Sequence, residues 1–252
     1  QNRLEKCIFR QNFSVMIYGI NQLKYQDVLE ILKNPSKAKL NKKSKEQIIK
    51  SQQNVQKIVA SDRTVYGINT GFGPLCDTKI SESETAQLQH NLIISHAVGV
   101  GKPIDKNISK IMMISKIHAL SKGFSGVSLD VIERLILMLE LDIIPVVPEQ
   151  GSVGASGDLA PLAHLVLPLL GLGQVWEIDI TVETAKVLKK HKLQPLKLGP
   201  KEGLGLINGT QFILAHAITG LAKFEYLLDL ADLTAAMSLE AYRGSSSPFK
   251  KV

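Results

Sequence analysis

The sequence predicts a mainly α-helical protein with glycine-rich loops and few, short strands. Three observations carry that expectation. Apolar residues recur at helical spacing in several separate windows, serine caps and glycine stops bracket those windows, and strand-like stretches are brief. In chain order, Ser44-Lys45-Glu46-Gln47 has the form of a capping box, and Ile48, Ile49, Val55, Ile58 and Val59 continue it as a helix to Ala60. A second helix is expected from Ile108 to about Lys122, stopped by Gly123. Ser128 caps a third, from Leu129 to about Leu141. Leu159 to Leu170 is apolar nearly all round, the pattern of a buried helix. Val146-Val147, and Gln174 to Ile180 as a hairpin arm, are the strand candidates. Gln194 to Gly205, with Pro195, Pro200 and three glycines, reads as an irregular loop. The longest helix is expected from Gln211 to about Tyr242, on the order of 48 Å at 1.5 Å per residue, with Gly220 its only breaker. A helix that long and apolar belongs in a bundle completed by other chains. The expected division is an unassigned leader at 1–15, an N-terminal helical domain at 16–205 and the start of a helical bundle at 206–252.

Composition narrows the function classes. The chain has 252 residues, 44% hydrophobic and 21% charged, enough to build a sizeable core and too apolar for disorder. Two cysteines, Cys7 and Cys76, supply neither a disulfide framework nor a zinc cage, and the six histidines form no H-x-x-x-H or H-x-H pair. A reducing, cytoplasmic setting and no metal are therefore expected. No apolar run approaches the ~20 residues of a membrane span, the longest being Leu165 to Leu172 with Pro168 and Gly171 inside it, and the N-terminus has no signal-type stretch. The net charge of +7 comes largely from eight lysines between Lys33 and Lys57 and six between Lys186 and Lys201. Neither stretch holds an arginine or an aromatic, so both read as solvated faces and not as a nucleic-acid surface.

Four segments have the look of chemistry. Gly151-Ser152-Val153-Gly154-Ala155-Ser156-Gly157-Asp158 precedes the buried helix with a G-x-x-G-x-x-G spacing. It fits a flexible loop, or a helix N-terminus capped by Ser156 or Asp158; a phosphate cradle is disfavoured because no Lys-Ser/Thr follows. It also fits self-cyclisation. The unhindered nitrogen of Gly157 attacks the carbonyl carbon of Ala155, one water leaves the ring, and the Ser156 hydroxyl leaves as a second. The product is a methylidene-imidazolone, an electrophile, with Asp158 available to move protons. Thr64 to Pro74 is a glycine-rich loop carrying Tyr66, either a packing aromatic or a general base whose pKa of ~10 must be lowered. Ser95-His96 closes an apolar stretch, as a structural pair or a site pair. Asn208-Gly209-Thr210-Gln211 leads into the long helix, where Asn208 either caps it or turns its amide to a ligand at the positive helix end.

Taken together, these segments resemble the histidine and aromatic amino acid ammonia-lyase family. Tyr66-Gly67-Ile68-Asn69-Thr70-Gly71-Phe72-Gly73 matches its tyrosine loop, Gly151 to Leu162 its ring-forming segment, and Leu206-Ile207-Asn208-Gly209-Thr210-Gln211 a binding motif beyond it. The resemblance runs from about Tyr18 to Tyr242. It implies elimination of ammonia from L-histidine to give trans-urocanate, with the 4-methylidene-imidazol-5-one made from Ala155, Ser156 and Gly157 and no external cofactor. It implies Tyr66 as base, with a glutamate of the family's distal half as rival, Ser95-His96 as the selectivity pair with His96 orienting the imidazole, and Asn208 and Gln211 holding the polar end of the substrate or the ring. It implies a homotetramer with shared active sites. Alternatives of the same resemblance are a tyrosine or phenylalanine lyase or aminomutase, and an inactive half-length scaffold. The chain is about half the family's length, and the distal half normally supplies a carboxylate-binding arginine, a second tyrosine and most of the bundle. Residues 1–15 match nothing in the pattern, and Met16 is the expected start.

Overall fold

The computed structural model describes residues 15–61, 63–71 and 82–250. Helix α1 (Tyr25–Lys33) follows a short strand β1 (Met16–Ile17), which pairs in parallel with β2 (Ala38–Lys39). Helix α2 (Lys42–Val59) starts one turn earlier than the sequence suggests. Its cap is Asn41, whose Oδ1 accepts from the Ser44 N–H at 2.9 Å while Ser44 Oγ accepts from the Asn41 N–H at 3.2 Å. Ser44 is thus the inner member of the capping box, and it is buried because the box is folded against the core.

Helix α3 (Glu82–His96) leads through β3 (Val100–Pro103) into α4 (Lys106–Ser121), capped by Asp105. Ile111, Met112, Met113, Ile114, Ile117 and Leu120 are all within 3% of full burial, so α4 is surrounded on every side and needs no polar face. Helices α1, α2 and α5 (Leu129–Glu140) pack around it. Ser128 caps α5 as expected, its Oγ accepting from the Val131 N–H. The expected strand Val146-Val147 is instead the link between β4 (Ile144–Pro145) and β5 (Pro148–Gln150). The two valines still bond on both sides, Val146 N–H to Gln174 O and Val147 O to the Ile104 N–H, but as a crossing between sheets rather than a strand. Strand β5 runs antiparallel to β3, with Val100 opposite Gln150, while β4 joins the hairpin β6 (Gln174–Glu177) and β7 (Ile180–Glu183). Helix α6 (Leu159–Val166) gives way to a 3-10 turn over Leu167–Leu170, because Pro168 lacks the N–H that a continued α-helix requires.

After α7 (Thr184–Lys190), the expected loop at 194–205 contains the start of a short helix, α8 (Glu202–Ile207). Buried Glu202 holds it: one carboxylate oxygen accepts from the Gly199 N–H at 2.6 Å and the other from the Ser128 N–H at 2.8 Å. Two compact units are present, the first ending at Ala215 and the second beginning at His216. Helix α9 (Gln211–Ala241) supplies most of the second. There Phe224, Leu227, Leu228, Leu233 and Met237 are exposed. The stretch Glu202–Ala241 is long and apolar enough to cross a membrane by length and composition, which corrects the expectation that no apolar run of the chain approaches a span. Lys223, Glu225, Asp229 and Asp232 interrupt it at intervals suited to a helix in a protein bundle.

Acid sensitivity is built into α4. His118 is 7% exposed and its Nδ1 accepts from the Gly19 N–H at 3.4 Å. Burial, with the Lys122 charge adding to it, lowers its pKa from 6.5 to about 4. The unfolded chain therefore binds a proton that the folded chain refuses between those values, and the stability present above pH 6.5 is lost as the pH falls towards 4. Urea unfolding of His118→Gln is expected to lose less stability than the native chain over that interval. Parallel pH profiles for the two would contradict this assignment.

Candidate active site

Helices α3, α6 and α8 pack against one another, with His96 at the end of α3, Asp158 just before α6 and Asn208 just after α8. The close packing of α3 and α8 depends on Gly203: a Cβ there would stand 2.7 Å from the Gln89 carbonyl oxygen. The Gln89 side chain completes the crossing, its Oε1 accepting from the Leu204 N–H at 3.2 Å. This contact sets where α8 ends, and hence where Asn208 and the N-terminus of α9 lie. On the other side, the β3–β5 pairing and a 2.9 Å bond from the Gly99 N–H to His164 Nε2 tie the segment after His96 to α6. Burial lowers the His164 pKa, which keeps that ring nitrogen an acceptor.

Gly151 to Asp158 lies between these anchors. Gly157 has φ +127, and a Cβ on it would overlap the carbonyl oxygen of Gly209. Only glycine fits. Ala155 and Ser156 stand exposed in a bend, whereas Gly157 and Asp158 are buried. Among the described residues the Gly157 N–H has no hydrogen-bond acceptor, while its neighbour Asp158 donates its N–H to Gly209 O at 2.7 Å. The nitrogen required for ring closure is therefore unhindered and uncommitted, and the residues present fit the ring.

Asp158 is fully buried, and its carboxylate is saturated by three donors. Ser152 Oγ donates to Oδ1 at 2.7 Å, and the N–H groups of Phe212 and Ile213 donate to Oδ2 at 3.0 and 3.1 Å. The carboxylate makes no side-chain bond to its own helix, α6; it caps the first turn of α9 across a gap of more than fifty residues. Two helix N-termini, those of α6 and α9, thus meet at Gly157-Asp158 and place their positive ends beside the bend.

His96 is half-buried at the C-terminus of α3. Its Nδ1 lies 2.8 Å from the Leu92 carbonyl, an acceptor only, so Nδ1 carries the proton and Nε2 is the acceptor nitrogen. Ser95 Oγ donates to the same carbonyl at 3.1 Å and lies 3.3 Å from Nδ1. Asn208 is exposed at the end of α8, and Gln211 is buried, its Oε1 lacking a partner among the described residues. Tyr66 is 55% exposed in a turn closed by local bonds, among them Val65 N–H to Asn69 Oδ1 at 2.8 Å. The rest of its loop, Phe72 to Pro74, lies outside the described residues, as do both cysteines. Among the described residues no cluster of histidine, cysteine and carboxylate side chains suits a metal ion.

Sequence reasoning missed Ser152, Gln89, His164 and Lys116. Lys116 alone carried a signal, a single cation inside the apolar run Ile111 to Ile117.

The sequence pattern of the aromatic amino acid lyase family matches residues 23–252. The histidine ammonia-lyase of Deinococcus radiodurans is 42% identical over 228 residues, covering 90% of this chain and 44% of its own length. Two solved structures are similar. Histidine ammonia-lyase from Trypanosoma cruzi has a TM-score of 0.84 at 33% identity, over 92% of this chain and 45% of that one. A tyrosine aminomutase from Streptomyces globisporus has a TM-score of 0.87 at 33% identity, over 94% and 44%. The chain spans less than half the length of these relatives.

Proposed function

The chain belongs to the aromatic amino acid lyase family, and from that premise we propose that it is the ring-bearing half of an enzyme that eliminates ammonia from L-histidine to give trans-urocanate. The observation that carries the reading is the Ala155-Ser156-Gly157 bend, whose glycine nitrogen has no hydrogen-bond acceptor among the described residues and whose glycine leaves no room for a side chain beside the Gly209 carbonyl. Once formed, the methylidene-imidazolone supplies an electrophilic carbon, derived from the Ser156 side chain, that converts the substrate's amino group into a good leaving group.

The chain's own residues do the rest. Elimination breaks the Cα–N bond and a Cβ–H bond; the C–H electron pair becomes the new double bond, and a base takes the proton. Tyr66 is the base this half provides. His96, with Nδ1 committed to Leu92, offers Nε2 to the N–H of the substrate imidazole and so sets its orientation. Asn208 and the unpartnered carbonyl of Gln211 hold the polar end of the substrate or the ring. The meeting helix N-termini of α6 and α9 favour negative charge accumulating there, stabilisation by fixed dipoles. The exposed apolar face of α9 is the part that other subunits of a homotetramer would cover, and a cytoplasmic location goes with this reading.

Activity on tyrosine, as a lyase or aminomutase, is the second reading, favoured by the likeness to the Streptomyces enzyme. The test combines the mass of the peptide from Gln150 to His164 with turnover assays on histidine, tyrosine and phenylalanine, the chain being joined to the distal half of a relative. Loss of two waters and release of urocanate are expected. An unmodified peptide would overturn the ring, and preferential turnover of tyrosine would overturn the substrate.

A further inference from the structure

One buried cation stands outside this mechanism. Lys116, on α4, is 2% exposed in the midst of apolar side chains. Its Nζ donates to the carbonyl oxygen of Asn208 at 2.8 Å. Burying an amine is costly, and a methionine of similar volume would fill the same space without that cost. Burial lowers the Lys116 pKa to about 7, so the amine exists in both forms near neutrality, and both forms retain an N–H to donate.

What the bond holds is the peptide between Asn208 and Gly209. The next carbonyl along, that of Gly209, accepts the Asp158 N–H and occupies the space where a Gly157 side chain would be. Two consecutive carbonyls therefore link α4 to the bend: Lys116 fixes the first, and the second bears on Gly157-Asp158. We propose that Lys116 is a positioning residue for the Ala155-Ser156-Gly157 bend, acting as a clamp through the Asn208–Gly209 peptide. Its effect on ring closure rests on the ring reading above; the clamp itself does not. Lys116 is enclosed beneath the turn and acts through it, without touching substrate.

Hydrogen exchange tests the clamp. In Lys116→Met the Asp158 amide is expected to exchange at least tenfold faster, while amides of α5 keep their protection. Lys116→Gln retains a donor and is expected to recover part of the loss, which a space-filling role would not predict. Unchanged exchange at Asp158, or equal loosening of α5, would overturn the proposal. If Lys116→Met is insoluble, Lys116→Gln carries the same comparison: selective loosening at Asp158 supports the clamp, and uniform loosening or none removes it. The mass of the Gln150–His164 peptide, read on the same samples, separates the two ideas. A native chain without the two-water loss ends the ring reading, and the exchange data still decide the clamp. A native chain with that loss, matched by Lys116→Met in both mass and exchange, ends the clamp.

Discussion

Replacing Ser156 by alanine is expected to eliminate turnover and to leave the Gln150–His164 peptide at most one water light. In the proposed ring formation the hydroxyl is the second leaving group: without it the Gly157 nitrogen can still close on Ala155, but no exocyclic double bond forms. The electrophilic carbon then never exists. The loss should exceed the ~10²–10³-fold seen when a single electrostatic catalyst is deleted, because the group that activates the leaving amine is gone altogether. Folding should survive, since Ser156 is exposed and its side chain has no partner among the described residues. The peptide mass and a rate assay on the chain joined to its distal half check this together. Turnover within tenfold of the native rate would refute the mechanism.

Asp158→Ala is expected to produce the largest change in stability. The native carboxylate is fully buried, yet Ser152, Phe212 and Ile213 all donate to it. Alanine strands two backbone N–H groups at the start of α9 and leaves that helix end without its compensating charge. Hydrogen bonds to a charged acceptor contribute about 1.5–3 kcal/mol each, and both of these are part-buried, so a loss on the order of 3 kcal/mol is expected. Asp158→Asn keeps an acceptor oxygen and should lose less. Denaturant midpoints for the three proteins measure both differences. A shift for Asp158→Ala equivalent to under about 1 kcal/mol would mean the cap contributes little to the fold.

Much of this was legible in the sequence. Ser128 as the cap of α5, the hairpin after Gln174 and the long α9 were all visible, because caps, turns and apolar periodicity act over a few residues. The departures have two causes, one local and one long-range. Serine favours the cap position, which points to Ser44, but Asn41 competes three residues earlier and wins. The segment 194–205 reads as loop by composition, yet Glu202 bonds to Gly199 and Ser128 and so stabilises α8 at its end. Local composition could not register a partner 74 residues away.

The same boundary runs through the site. The amino-acid sequence by itself determined the candidate tripeptide Ala155-Ser156-Gly157 and the candidate residues at 66, 95, 96, 208 and 211, because chemistry is a property of residue type and short spacing. Only the tertiary structure decided what Asp158 and Lys116 do. A carboxylate before a helix reads as that helix's own cap, but here its bonds go to α9, and a lysine in an apolar run reads as an anomaly until its acceptor is seen 92 residues away. Hydrogen bonds act over ~3 Å of space regardless of separation along the chain. The bonds from Lys116 to Asn208, from Asp158 to Gly209 and from Phe212 and Ile213 to Asp158 join α4, the end of α8, the start of α6 and the start of α9, and folding alone brings those partners within that distance.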